Sequence, residues 1–343
     1  MSKELLYLSQ EDVIACGGMS MKQAIEDLEE VFRLFDAGDC ILPGKIVMKR
    51  PEANSEEISG RINAMPAFVG GKFNMAGIKW IGSGPSNPFK YNLPRASAII
   101  ILNDPETKIP LAVMDGTVIS AIRTGAVTGI CAKYMAPVKT KVVGLFGAGA
   151  QSRTQLMAIK EALPHIEKVL ISDISKDRAD KFAEEMTTQV GIPVITDLDR
   201  LHVIENSDVL VTATTATEPI IHGKEINHGC YVAHLGDNEV DEALILKADK
   251  IFIDDWETDK HRMGDTLAYM YRDGKIDDSR IDGSVSDLIS GKKKGRDNEE
   301  QLTYSCNVGL GLYDVAIATR VYRYALDRGI GQKLTLWENP AMI

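Results

Sequence analysis

An α/β protein built on a doubly wound parallel sheet, joined to an α+β domain, is predicted by three observations. From residue 141 to residue 253 short apolar runs alternate with helical patterns, as in parallel strands joined by helical crossovers. Within that stretch Lys141-Val-Val-Gly-Leu-Phe-Gly-Ala-Gly-Ala-Gln-Ser152 leads a mostly apolar run into Gly147, Gly149 and a small Ser152 before a helical pattern begins. From 41 to 114, by contrast, strand-like runs are separated only by turn residues, the texture of a mostly antiparallel sheet.

Each element has its own signal. Ser20-Met-Lys-Gln23 is a capping-box pattern, and Ile25, Leu28, Phe32 and Phe35 repeat at helical spacing until Gly38, an amphipathic helix of about four turns. Ile46-Val-Met48, Arg61-Ile-Asn-Ala-Met65, Ala76-Gly-Ile-Lys-Trp-Ile81, Ala98-Ile-Ile-Ile-Leu102 and Leu111-Ala-Val-Met114 read as strands, with Asn103-Asp-Pro-Glu-Thr-Lys108 as a hairpin turn. Thr117–Met135 returns to helical periodicity until Pro137. After the glycine turn come strand Lys168-Val-Leu-Ile-Ser172, helix Lys176–Val190, strand Pro193-Val-Ile195, helix 198–205, strands Val209-Leu-Val-Thr212 and Cys230-Tyr-Val-Ala233, helix 241–246 and strand Lys250-Ile-Phe-Ile253. That makes six parallel strands. Residues 312–328 carry Val315, Ala318, Val321, Tyr322 and Ala325, a helix with an apolar face that packs back on the first domain. The expected division is residues 1–125 with 312–343, and residues 126–311.

The glycine turn carries chemistry. Its first glycine permits the turn, its second lets a pyrophosphate approach the backbone, and Ser152 lets the helix pack closely on the strand. The N–H groups opening the helix then bind phosphate. The following strand ends in Asp173, at the spacing of an acid that accepts a ribose 2′-hydroxyl. This is a Rossmann pattern. An anion there repels a 2′-phosphate, so NAD is favoured over NADP, a preference tempered by Lys176 nearby.

Composition narrows the function further. The 343-residue chain has a formal net charge of -10, which argues against nucleic acid or anionic membrane as a partner. Lys292-Lys-Lys-Gly-Arg296 is followed at once by Asp297, Glu299 and Glu300 and reads as a solvated loop. The five cysteines, Cys16, Cys40, Cys131, Cys230 and Cys306, form no C-x-x-C pair. The six histidines show no metal-ligand spacing, so no metal is expected. Without a signal-peptide pattern or a long apolar run, a reducing cytoplasm is the expected location.

Three residues stand out as chemical candidates. Lys79 sits mid-strand among apolar neighbours, either at a sheet edge facing water or in a functional role. Arg123, in Ile119-Ser-Ala-Ile-Arg-Thr-Gly-Ala126, is surrounded by small or apolar residues; it pairs either with a substrate carboxylate or with a structural acid. Asp237 follows an apolar strand at the sheet's carboxyl edge, where ligands bind, although a helix N-cap would look the same.

Ala64-Met-Pro-Ala-Phe68, Gly77-Ile-Lys-Trp-Ile81 with Pro85-Ser-Asn87, Ala112-Val-Met-Asp-Gly116, Arg123-Thr-Gly-Ala126, Gly147-Ala-Gly-Ala-Gln151, Thr212-Ala-Thr-Thr-Ala-Thr-Glu-Pro219 and Val308-Gly309 with Asp314 occur in order along the chain. In this the sequence resembles the ornithine cyclodeaminase/mu-crystallin family over nearly its whole length. The resemblance implies a homodimer formed through the first domain, which binds an amino-acid substrate, and an NAD-binding Rossmann domain. It implies substrate contacts by Lys45, Asn63 and Arg123, proton transfer by Lys79 with Asp237 or Glu239, and cofactor contacts by Thr124, Gly147, Gly149, Ala150, Gln151, Asp173, Thr214, Thr215, Val308 and Gly309. Lys45 stands where the family usually has arginine, and Asn63 where cyclodeaminases carry a glutamate that receives the substrate amino group. Asp237-Asn-Glu-Val-Asp241 also departs from their pattern.

Within the family, Lys79-Trp-Ile-Gly-Ser83, the run from Arg95 to Thr107, Asp254-Asp-Trp256 and Leu334-Thr-Leu336 are similar to the branch that oxidises N-(2-amino-2-carboxyethyl)-L-glutamate with NAD. There the imine hydrolyses to 2-oxoglutarate and 2,3-diaminopropionate. The expected activity is therefore NAD-dependent oxidation of the CH–NH bond of an amino acid or N-substituted amino acid. The rivals are ornithine cyclodeamination, cyclic imine reduction and a mu-crystallin-like binding role.

Overall fold

A computed structural model describes residues 2–51, 58–227, 229–262 and 264–341. The chain divides into two units, Met1–Arg123 with Leu310–Ile343, and Thr124–Gly309.

The first unit is an eight-stranded sheet. Its strands are β1 (Lys3–Leu8), β2 (Cys40–Ile41), β3 (Ile46–Pro51), β4 (Ile58–Val69), β5 (Met75–Ser83), β6 (Ala96–Asn103), β7 (Pro110–Asp115) and β16 (Gln332–Trp337). They run in the order β16-β1-β7-β6-β5-β4-β2, with β3 also on β4. The pairs from β4 to β7 are antiparallel, as the turn chemistry predicts, and β1 lies parallel to β7. The edge strand β16 and its neighbour β1 went unpredicted because each is short and mixes charged with apolar residues. Along β6, Ala98, Ile100 and Leu102 are buried while Ile99 is exposed, the period-two pattern of a sheet with one covered face.

The covering elements are helices α1 (Met21–Asp36) and α5 (Gly311–Arg328), the latter against β4, β5 and β6. The α1 helix starts at Ser20, whose side chain accepts the Gln23 N–H, and it buries Leu28, Val31 and Phe32. Phe32 meets Tyr313 of α5 with ring centroids 5.3 Å apart, and Arg320 Nε bonds Asp27 at 2.6 Å.

The second unit is the doubly wound sheet. Its strands are β8 (Val142–Phe146), β9 (Lys168–Ser172), β10 (Val194–Thr196), β11 (Val209–Thr212), β12 (Cys230–His234), β13 (Lys250–Ile253), β14 (Gly283–Ser284) and β15 (Leu302–Cys306). The order is β10-β9-β8-β11-β12-β15-β13-β14, with every pair parallel. Eight strands therefore stand where six were expected. The missed β15 lies centrally, between β12 and β13. Its sequence, Leu-Thr-Tyr-Ser-Cys, looks too polar for such a place, yet all five residues are buried. Two of their hydroxyls find buried partners: Thr303 Oγ1 donates to the Met135 carbonyl at 2.8 Å, and Ser305 Oγ lies 2.6 Å from Tyr231 Oη.

Helices α2 (Thr117–Met135) and α4 (Lys176–Val190) follow the predicted spans, and α3 (Ala150–Ala162) follows the glycine turn. Glycines let α2 and α3 pack closely. A Cβ on Gly125 would lie 2.4 Å from the Thr154 carbonyl oxygen, and one on Gly129 2.8 Å from that of Ala158. None of the described helices is long and apolar enough to cross a membrane.

Ile100 is fully buried under α5, so Ile100→Ala should cost about 2–5 kcal/mol without changing the fold. Urea unfolding followed by circular dichroism checks this; a loss below about 1 kcal/mol would mean that α5 collapses into the space.

Candidate active site

The strand register assembles the first group of candidates. Met65 of β4 lies opposite Lys79 of β5, which lies opposite Ile100 of β6, so Lys79 points to the covered face. Asn63 lies opposite Val47 and Ile81, on the same face two residues along β4. Lys45 precedes β3 by one residue, close enough for its charge to act on Lys79. A sheet-edge place for Lys79 is thereby excluded: β5 is paired on both sides and the lysine is wholly buried.

The helices complete the group. Lys79 Nζ donates to Ser120 Oγ at 3.1 Å and lies 2.8 Å from Asp314 Oδ2. Arg123, one turn along α2 from Ser120, has Nε 3.4 Å from Asp314 Oδ1. Arg123 thus contacts an acid of its own chain, one of the two readings left open by the sequence. Both Asp314 oxygens are buried without an aligned hydrogen-bond donor, so these two cations are what offsets its charge. Burial first, and then the Arg123 charge, push the Lys79 ammonium down to about 7, with Lys45 adding to the effect and Asp314 opposing it. The side-chain oxygen of Asn63 is buried and has no donor, an acceptor waiting for an N–H. Asp314 entered the sequence reading only as part of a motif, because no spacing rule links position 314 to position 79.

The second unit holds the other candidates. Gly147 has φ +97°, and a Cβ there would lie 2.8 Å from the Ala213 carbonyl oxygen, so the turn requires glycine. A Cβ on Gly149 would meet nothing within 4 Å. Gly149 is the N-cap of α3, no side chain caps the helix, and Gly149 and Ala150 are exposed. Gln151 keeps its side-chain oxygen buried without a donor. Ser152 is buried, and its hydroxyl donates to the Gly147 carbonyl, fixing the turn from below. These features fit the pyrophosphate of a dinucleotide.

Asp173 ends β9 as expected, but it is already well bound. Its Oδ2 accepts the Ala148 N–H and its Oδ1 the Ser175 N–H, each at 2.8 Å, while Arg178 Nη2 reaches Oδ1 at 2.7 Å. Partial burial raises its pKa, and these hydrogen bonds outweigh that to hold the carboxyl below its usual range. The cation beside it is Arg178; Lys176 pairs instead with Asp180 at 2.5 Å.

Carboxylates also shape the remaining loops. Glu239 accepts the Thr214 N–H at 2.5 Å, the Thr214 hydroxyl at 2.6 Å and the Gly236 N–H at 2.7 Å, and is wholly buried. Thr215 beside it is exposed. Asp254 accepts the N–H groups of Val308 and Gly309, both at 2.9 Å, so these two residues offer a ligand something other than their amides. Thr124 opens the second unit on α2. Asp237 is partly exposed and its Oδ1 lies 2.9 Å from Arg262 Nη2. It caps no helix; the N-cap of the following helix is Asp241.

His234, Asp265 and Cys306 converge within 4.8 Å, a cluster that sequence spacing did not disclose. They already serve one another. Cys306 donates to Asp265 at 3.0 Å, His234 Nδ1 lies 2.7 Å from Tyr304 Oη, and burial followed by the Asp265 charge pushes the thiol well above its ordinary pKa. His228 lies outside the described residues.

Fold and turn together define a Rossmann dinucleotide-binding protein. Within that class residues 6–329 match the Ornithine cyclodeaminase/mu-crystallin family, and the chain belongs to it. It is 31% identical to N-((2S)-2-amino-2-carboxyethyl)-L-glutamate dehydrogenase of Staphylococcus aureus, over 98% of this chain and 100% of that one. Among solved structures, Thermococcus litoralis Delta(1)-pyrroline-2-carboxylate reductase in complex with NADH and L-proline superposes with a TM-score of 0.89 at 35% identity, covering 96% of this chain and 99% of that one. An archaeal alanine dehydrogenase dimer with bound NAD gives 0.88 at 34% identity, covering 98% and 100%.

With Asp173 at the end of β9, NAD should bind more tightly than NADP, and Asp173→Ser should narrow the difference by about 1.5–3 kcal/mol, the worth of a charged hydrogen bond. Titration calorimetry with both dinucleotides measures it. Tighter NADP binding by the wild-type protein would mean that Arg178, not Asp173, sets the preference.

Proposed function

We propose that the protein is an NAD-dependent oxidoreductase acting on the CH–NH bond of an amino acid or N-substituted amino acid. The observation that carries this reading is a wholly buried lysine 2.8 Å from a carboxylate that an arginine also contacts, at 3.4 Å. NAD, held at the Gly147–Ser152 turn and Asp173, supplies the hydride acceptor. Arg123 and Lys45 hold the substrate α-carboxylate, the guanidinium offering N–H groups in a planar fork. Asn63 Oδ1 accepts an N–H from the substrate nitrogen. As the Cα hydride leaves, neutral Lys79 takes a proton from that nitrogen and an imine forms. Asp237, the more accessible of the two candidate acids, assists the water that hydrolyses the imine to an amine and a 2-oxo acid. Glu239 is left as the organiser of the loops around Thr214 and Gly236. A similarity of 31% to a dehydrogenase of an N-substituted amino acid supports net oxidation over cyclisation. So does Asn63, which lacks the carboxylate that would receive an amino group. The reading places the enzyme in the cytoplasm, acting on small molecules.

Two measurements test the chemistry. Net oxidation should release one NADH per substrate consumed, with free amine and 2-oxo acid; proline formed from ornithine with only trace NAD would overturn it. A base whose pKa is lowered is charged below that value and neutral above it. Hence kcat/KM for oxidation should be full at pH 8 and fall tenfold per unit below a midpoint near 7. An acid limb that survives unchanged in a folded Lys79→Met variant would assign it to another group.

The outer face of the first sheet supports a homodimer. Ile46, Trp80 and Ile99, in one cross-strand row on that face, are 66%, 44% and 44% exposed, a contiguous apolar row of the kind that marks a protein–protein contact. Ile41, Pro66, Phe68 and Ile78 line a hollow of about 350 Å³ beside it. Trp80→Glu with Ile99→Glu should yield a folded monomer by analytical ultracentrifugation. A dimer that survives both changes would place the interface elsewhere.

A further inference from the structure

We propose that Asp314 is the positioning residue of the active site, one buried carboxylate that fixes both the amine that moves the proton and the guanidinium that grips the substrate carboxylate. The proposal rests on the reading of Lys79 as the proton-transfer group.

The backbone is built to bring Asp314 there. Gly311 opens α5 and is pressed against β4 so closely that a Cβ would lie 2.7 Å from the Met65 carbonyl oxygen. Met65 is the residue opposite Lys79. The close approach therefore delivers the first turn of α5, with Asp314 in it, onto the lysine. Asp314 is wholly buried, as is Lys79. Its two oxygens divide the work, Oδ2 at 2.8 Å from Lys79 Nζ and Oδ1 at 3.4 Å from Arg123 Nε.

The consequence for chemistry follows from the valence of nitrogen. A neutral amine has two N–H donors and one lone pair. Ser120 Oγ takes one N–H, and the Asp314 carboxylate, 2.8 Å from the nitrogen and able only to accept, repels the lone pair, so the lone pair is directed away from it. Asp314 thus orients the base, and by the same carboxylate fixes Arg123 relative to it. Its charge also sets the balance: it opposes the burial and the Arg123 field that drive the lysine neutral. An amide at 314 would keep the shape, remove the charge and leave one oxygen to serve two cationic groups.

The test uses the full-length protein with 13C-labelled lysine, following the Lys79 Cε shift by NMR from pH 5 to pH 9, assigned with Lys79→Arg. In Asp314→Asn the Lys79 midpoint should fall at least one pH unit below its wild-type value near 7. The acid limb of kcat/KM should move with it, and kcat at pH 8 should fall at least tenfold. An unmoved midpoint with kcat/KM lowered equally at every pH would overturn the proposal and make Asp314 a structural residue only. If Asp314→Asn does not fold, Asp314→Glu decides. Retained charge with a longer arm should keep the midpoint within half a unit while kcat falls at least tenfold, and wild-type kcat/KM would overturn the proposal. A shifted Lys79 midpoint in an enzyme that oxidises no amino acid or N-substituted amino acid would uphold Asp314 as the residue governing the lysine and sink the oxidoreductase reading alone.

Discussion

A lysine closed inside a β-sheet domain is the constraint around which the first unit is arranged. Moving an ammonium from water to a protein interior costs several kcal/mol even after relaxation, so the group must be neutralised, paired, or both. At Lys79 both occur: burial and Arg123 drive the charge off, and Asp314 holds what charge remains. That compromise requires a two-sided strand to bury the stem, a helix start pressed on β4 to supply the carboxylate, and a second helix to supply Ser120 and Arg123. Core packing under α5, from Met65 through Ile100 to Val315, keeps these parts at hydrogen-bonding separations. Stability and chemistry therefore share residues, and the site cannot loosen without opening the core.

The second unit solves a different problem with the same residue type. Loops at the carboxyl edge of a parallel sheet leave backbone N–H groups that the ladder does not satisfy. Asp173 takes that of Ala148, Glu239 those of Thr214 and Gly236, and Asp254 those of Val308 and Gly309. Each carboxylate fixes a loop before any ligand arrives, so less ordering remains to be done on binding. Gly149 and the start of α3 stand apart from this bracing, exposed and with no side chain capping the helix.

Much of this was legible in the sequence, and the limits have physical causes. The glycine turn, Asp173 and helices α1 to α5 are local patterns, readable from a dozen residues each. Strand β15 was missed because its polar side chains are satisfied by Met135 and Tyr231, partners far away in the chain. The contact of Asp314 with Lys79 and the closure of His234, Asp265 and Cys306 are likewise long-range events. Thr214, Val308 and Gly309 could be named from the family resemblance. That their amides serve Glu239 and Asp254 could not, since nothing in a motif says which way a donor points.

Asn63 and the neutral lysine are two sides of one electrostatic arrangement. Asn63 is a diagonal cross-strand neighbour of Lys79 on the same face, a relation that places side chains about 7 Å apart. At an effective dielectric of about 20, a carboxylate at that distance would favour the protonated lysine by about 2 kcal/mol, more than one pH unit. A glutamate there would thus hold Lys79 charged at neutral pH and make it an acid. Among the described residues the amide leaves Asp314 to oppose burial and the nearby cations, which hold the Lys79 ammonium down at about 7. A chain that departs from the cyclodeaminases at position 63 therefore changes more than a substrate contact. It changes the protonation state in which its lysine waits, from the ammonium that a nearby carboxylate favours towards the neutral amine.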